Sequence, residues 1–332
     1  EYRPRPPAPP DSALAHYLAG RIAVDPNIAL AEHHEAIRLD PKFVWPRMAV
    51  GYVLSEEERF DEAMRELDGA LAIEGHDPAV LVYYARAAIA KGNPTEAVAK
   101  VDQALSATPK EFAALHARWT LAAAAGEWVR AEAMLQSFGE IEPSISVWER
   151  RLALLELKGD DAAADQQIEA GLKQDELHLD ARRAQVDRLL AKGEYTVASS
   201  LLRENVNDFE PDALVLRELY TAGGLTLRGD AAAARQLLTD AAKHLNPKST
   251  AYYVQKALIA GMNGTMPAEQ VVQIARDQNQ SEHGWVVAGV RAAAANDRAR
   301  AEKCFARAAR HSPDLMFPHL EAKKMAELVR PQ

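Results

Sequence analysis

From Asp11 onward the chain alternates amphipathic stretches of about 12 to 15 residues with short breaks. Within each stretch the apolar residues fall at i, i+3, i+4 and i+7, the spacing of a helix with one buried stripe. The segment from Asp77 to Pro109 shows the pattern in full. Its first predicted helix carries Leu81, Tyr84, Ala85 and Ala88. Its second carries Ala97, Val101, Ala104 and Leu105. The small residues sit where two helices must cross closely. No strand-like alternation interrupts this pattern.

The breaks are of two kinds. One is a glycine followed by a polar residue: Gly92-Asn93, Gly126-Glu127, Gly159-Asp160, Gly193-Glu194 and Gly229-Asp230, at spacings of 34, 33, 34 and 36. The other contains proline: Pro41, Pro78, Pro109, Pro143, Pro211, Pro247 and Pro313. Glycine suits the left-handed residue that ends a helix, and proline suits the first turn of the next. Two such signals interleaved at a period near 34 predict a helix–turn–helix unit repeated along the chain.

The residues inside the unit resemble the tetratricopeptide repeat. The segment from Glu282 to Pro313 carries Trp285, Gly289, Ala301, Phe305, Ala308 and Pro313 at that family's spacing. The segment from Lys42 matches with Gly51, Phe60, Ala63 and Ala70. The one from Lys110 has Leu115, Gly126, Trp128, Ala131, Leu135 and Pro143, and the one from Ser144 has Trp148, Gly159 and Ala164. Phe138 and Asn205 replace the small residue late in the second helix. The segment from Lys248 to Ser281 is degenerate, with Gly264 and Pro267 marking its turn. The resemblance implies an all-α, right-handed α-solenoid of about nine repeats. We expect a proline-rich linker over 1–10, the array over 11–313, and a capping helix and tail over 314–332. That last helix, from Asp314 to about Leu328, would cover the open end of the stack.

Composition narrows the picture. Hydrophobic residues at 48% and charged residues at 26% exclude a globally disordered chain. Runs such as Ala122–Ala125, Ala231–Ala234 and Ala292–Ala295 favour helix. The net charge of −9, with basic residues interleaved among acids, argues against a nucleic-acid partner. No apolar run is long enough to span a bilayer, so no membrane insertion is expected within this chain. The one cysteine, Cys304, excludes an internal disulfide but leaves cytoplasm and periplasm both open for a soluble chain. The chain begins at Glu1 rather than Met, which fits a processed form or a fragment, and the five prolines among residues 1–10 fit a tether to something upstream.

Candidate chemistry is sparse, and no catalytic residue, metal or cofactor is expected. There is no phosphate loop and no H-E-x-x-H motif. In Glu32-His33-His34-Glu35 the two imidazoles diverge by about 100 degrees around the helix, so they cannot share one metal. His33 reads as inward-facing, and His311 and His319 as satisfied or solvated. Cys304, beside Phe305, reads as a structural thiol. Asp160-Asp161 reads as a helix cap and Glu56-Glu57-Glu58 as a solvated turn.

In the family resembled here, the first helix of each repeat lines a concave groove. The corresponding residues are Trp45 and Tyr52, Tyr83 and Arg86, His116 and Thr120, Glu149 and Arg150, Asp180, Arg183 and Asp187, and Tyr220. A protein or peptide with apolar anchors and some acidic groups would suit this lining. One family subtype clamps chaperone C-termini with Lys, Asn, Lys and Arg. The equivalent places here carry Met48, Tyr52, Tyr83 and Ala79, so that role is not expected. The leading expectation is a protein-binding scaffold or adaptor. A regulatory domain of a larger enzyme, such as a bacterial Ser/Thr kinase or a protease, is the second. Self-assembly into a homo-oligomer is the third.

Overall fold

A computed structural model describes residues 11–23, 25–75, 77–141, 144–174, 177–278, 280–311 and 319–330. The proline-rich segment, Pro143, Pro313 and the start of the expected last helix lie outside these. The described residues form nineteen α-helices and no strand. Eighteen of the helices pair consecutively, each with its sequence neighbour.

In residues 1–143 the pairs are α1 (Ala13–Ile22) with α2 (Pro26–Leu39), α3 (Val44–Glu56) with α4 (Phe60–Ile73), α5 (Pro78–Lys91) with α6 (Thr95–Ala107), and α7 (Phe112–Ala124) with α8 (Trp128–Gly139). Residues 144–332 form a second compact unit. Its pairs are α9 (Ser144–Lys158) with α10 (Asp161–Gly171), α11 (His178–Lys192) with α12 (Tyr195–Glu204), and α13 (Pro211–Leu227) with α14 (Ala231–His244). They continue with α15 (Tyr252–Met262) and α16 (Ala268–Asp277), then α17 (Ser281–Ala294) and α18 (Arg298–His311). A last helix, α19 (His319–Val329), follows.

The turn signals act as the sequence predicts. Gly92, Gly126, Gly159, Gly193 and Gly229 all take left-handed φ values between 72° and 87°. Only glycine adopts that region without a Cβ clash. Asp25 and Asp77 cap α2 and α5, each accepting backbone N–H groups just ahead of a proline in the first turn. Asp160 caps α10 through the Ala163 amide. Gly264, at φ 78°, ends α15, so the degenerate segment still folds as a helix pair. In two turns a residue other than glycine takes the left-handed position: Glu58 at φ 61° and Asn296 at φ 63°. For Glu58 that conformation costs about 1–2 kcal/mol.

The repeat interiors pack as read. Leu81, Tyr84, Ala85, Ala88, Ala97, Val101 and Ala104 are buried in one core cluster, with Leu105 partly buried against it. Several helix crossings depend on glycine, and two show it well. A Cβ on Gly51 would lie 2.6 Å from Leu67 Cγ, and one on Gly289 would lie 2.6 Å from Phe305 Cε1. Phe138, the large residue late in a second helix, is accommodated fully buried with the edge of Phe112 against it.

Successive pairs stack through their first helices. In the first unit α3 touches α5 and α5 touches α7. In the second unit α11 touches α13, and α13 touches both α15 and α17. Contact between first helices two pairs apart means that their shared face curves inward there. The last helix packs on α18, and it also lies against α11 and α13. It therefore enters the first-helix face as well as covering α18.

Candidate functional site

The expected groove residues separate into two faces. On the first unit, Trp45 and Tyr52 lie seven residues apart on one side of α3, and Trp45 is 46% exposed. The Tyr52 and Tyr83 rings meet edge to face at 5.8 Å. The Arg86 guanidinium lies 5.7 Å from the Tyr83 ring centroid. Tyr52, Tyr83 and Arg86 thus join α3 and α5 into one surface with a cation at its edge, and Trp45 lies two turns before Tyr52 on the same side of α3. On α7, His116 stacks on Phe112 at 6.1 Å and on Trp119 at 6.5 Å. Thr120 is buried, and its hydroxyl donates to the His116 carbonyl. Trp119, which the groove reading omitted, is fully buried.

On the second unit the expected groove charges are engaged with one another. Arg183 pairs with Glu149 and with Asp180, both at 2.5 Å. Arg217 on α13 donates to Asp187 Oδ2 on α11 at 2.6 Å. These pairs tie α9 to α11 and α11 to α13. Arg188 reaches back to Asp161 and Asp165 on α10, at 2.7 and 2.5 Å. A cavity of about 340 Å³ opens among Glu149, Glu156, Arg183, Asp187, Arg217 and, from α19, Leu320 and Glu321.

Four expectations need correction, the first being Thr120, which is buried and bonded within α7 rather than lining a groove. Tyr220 does not line an open groove: it is buried, and its hydroxyl shares a 2.9 Å hydrogen bond with His283 Nδ1 on α17. The inward curve that brings α13 against α17 closes the face over it. Arg150 is buried as well, rather than offered to a ligand. Glu56 is buried at the end of α3 rather than solvated, although Glu57 is exposed.

Burial sets the electrostatics of the second face. The Glu156 carboxyl is pushed up to about 7 by burial, with the charge of Arg188 opposing. Burial raises the Asp187 carboxyl against the pull of Arg217. Burial and the neighbouring charge of Asp187 hold Glu321 well above the carboxylate range. His283 is lowered to about 4 by burial and by the charge of Arg217.

The remaining candidates are structural in placement. His33 is buried against Gly20 and lowered to about 4, chiefly by burial, while His34 is exposed. Glu32 pairs with His16 at 2.7 Å and Glu35 with Arg38 at 2.5 Å. Burial raises the Cys304 thiol despite nearby Arg300 and Arg307. His319 is buried, with Nδ1 2.7 Å from the Ala309 carbonyl. The His311 side chain lies outside the described residues. Among the described residues no group of three or more His, Cys, Asp or Glu is placed to hold a metal, and no helix is long and apolar enough to cross a membrane.

Residues 54–118 match the family model of the tetratricopeptide repeat. Among solved structures, the chain is similar to YrrB, a TPR protein with an unusual peptide-binding site. The identity is 16%, the match covers 53% of this chain and 92% of that one, and the TM-score is 0.39. A tetratricopeptide repeat protein from Parabacteroides merdae is 15% identical over 74% of this chain and 97% of that one, with a TM-score of 0.47. The type IV pilus biogenesis factor PilW is 19% identical over 73% and 93%, with a TM-score of 0.40. No curated protein matches the chain.

Proposed function

We propose that this chain, a tetratricopeptide-repeat protein, is a scaffold that holds a peptide or protein partner on the first-helix face of residues 1–143. One observation carries the reading: Tyr52, Tyr83 and Arg86 form a joined, partly exposed surface across α3 and α5, with exposed Trp45 two turns away on the same side of α3. Scattered exposed apolar residues need no explanation, but a grouped aromatic surface with an arginine at its rim is the composition of binding hot spots. Tyr and Trp give contact area at little entropy cost, because only two χ angles are frozen. Arg86 adds a forked donor for a carboxylate. The ligand that suits this face has two or three apolar anchors and an acidic group.

Co-purification from the native cell tests the reading, with the wild-type chain and a Tyr83→Ala, Arg86→Glu double variant compared side by side. The variant should keep its helical circular dichroism and lose the captured partner at least tenfold. A partner retained equally by the folded variant would sink the assignment of this face.

A further inference from the structure

The chain ends by lying on its own repeats. Ala322, Met325, Ala326 and Val329 of α19 belong to the hydrophobic core of residues 144–332. Met325 Cε comes within 3.5 Å of the place a Cβ on Gly223 would take, so Met325 packs directly against α13 at van der Waals distance. A Cβ on Gly193, just past α11, would lie 3.1 Å from Lys324 Cε. The helix thus occupies the very face that α11 and α13 would offer to a partner.

Its fit has one flaw. Glu321 is 3% exposed and enters the cavity beside Asp187, where Glu156 also lines the wall. Asp187 Oδ2 accepts from Arg217, but Asp187 Oδ1 and Glu321 Oε2 are both buried with no hydrogen-bond partner. Two carboxyl groups therefore face one cavity, each with a buried, unsatisfied oxygen. At Glu321 the influence of Asp187 exceeds that of Arg217, and Glu156 adds to it. A buried acid left unpaired loses its hydration without compensation. A cation at the same place would donate to Asp187 Oδ1 and sit in an attractive field instead.

We propose that α19 is a displaceable self-ligand of the first-helix face of residues 144–332, and that the partner replacing it is an amphipathic helix carrying Lys or Arg at the register of Glu321. The other anchors of that helix follow α19. It needs small residues at the registers of Ala322 and Ala326, and a long flexible apolar residue at that of Met325, because these side chains are almost wholly enclosed. The proposal does not rest on the aromatic face of residues 1–143.

Two fluorescein-labelled peptides test it on the wild-type full chain: the sequence His319–Arg330 and the same peptide with Glu321→Lys. Binding is read by anisotropy, and displacement by hydrogen exchange of the α19 amides. The Glu321→Lys peptide should bind at least tenfold tighter, and saturating it should speed exchange throughout α19. The full chain carrying Glu321→Lys, where it folds, should show at least tenfold slower α19 exchange and no binding of either peptide. Equal affinity of the two peptides, no binding of either, or tight binding with α19 exchange unchanged would each overturn the proposal. These three readings use only the wild-type chain, so they decide the matter even if the Glu321→Lys chain does not fold.

Discussion

The first helices of residues 1–143 and those of residues 144–332 share one repeat pattern and present opposite surfaces. In the first unit the tie between neighbouring repeats runs along the second helices, where Lys100 on α6 reaches Asp68 on α4 at 2.6 Å. The first helices keep an aromatic face. In the second unit the ties run along the first helices themselves, through Glu149–Arg183 and Asp187–Arg217. Charge that one repeat presents is taken up by the next, and α19 covers what remains. The period decides which residues share a face. Side-chain choice on that face decides whether it binds its neighbours or stays available.

The sharpest way to break this comparison is to remove the cover. Met325 is fully buried in the core of residues 144–332, on a helix that packs against α18, α11 and α13. Met325→Ala should cost about 2–5 kcal/mol of local stability, the range for truncating a buried methionine. The loss should appear as faster hydrogen exchange in α11, α13 and α19. Amides of α3 and α5 should keep their wild-type protection. Equal loss in α3 and α5 would mean that the two units open as one, and the contrast between their faces would lose its energetic meaning.

Much of this architecture is legible in the residues. Five glycines mark helix ends because left-handed φ is cheap only for them. The stripe from Leu81 to Ala104 marks a core because only one side of each helix is apolar. The same logic misses Glu58 and Asn296, which take the left-handed position without glycine's signature. It misses the burial of Glu56, which sits in a run of three glutamates that looks solvated. It also misassigns Tyr220, because whether a first-helix residue lines an open face depends on how strongly successive pairs curve. That curvature brings His283, 63 positions later, onto its hydroxyl. The terminal helix itself is foreseeable, but its seat is not: covering α18 and entering the first-helix face require the same apolar stripe.

A titration sharpens the comparison at intermediate cost. Glu156 and Glu321 bind protons more tightly in the folded second unit than in an unfolded chain. Their contribution is complete below the ordinary carboxylate value of 4.5 and is lost as pH rises, for Glu156 through about 7. His283 and His319, both lowered to about 4, act in the other direction: their contribution is complete above 6.5 and is lost as pH falls toward 4. Around Glu321 the groups that matter are Asp187 and Arg183 on α11, Arg217 on α13 and Glu156 on α9. Above pH 6.5, where the histidine contributions are complete, protection of α19, corrected for intrinsic exchange, should fall as pH rises through about 7. Glu321→Gln should flatten that fall by about 1.4 kcal/mol for each pH unit over which Glu321 would have titrated. An unchanged slope would place the pH dependence elsewhere, and Glu156→Gln would then be the variant to compare.

The smallest expected stability effect belongs to the open face, and its smallness is the point. Trp45→Ala removes a side chain that is 46% exposed at the start of α3. Nearly half of that side chain stays in water, so its truncation should cost less than the ~2–5 kcal/mol expected for Met325→Ala. A face kept for a partner should show just this pattern: a smaller stability loss than Met325→Ala, with capture of the partner weakened at least tenfold. A face that merely fills the interface between neighbouring repeats should show the reverse, with α3 and α5 losing protection while capture is unaffected. The ratio of the two effects, measured on one variant, separates a residue that binds from a residue that packs. Met325→Ala, measured the same way, should sit at the opposite end of that ratio, with protection lost in α11 and α13 and capture on the aromatic face intact.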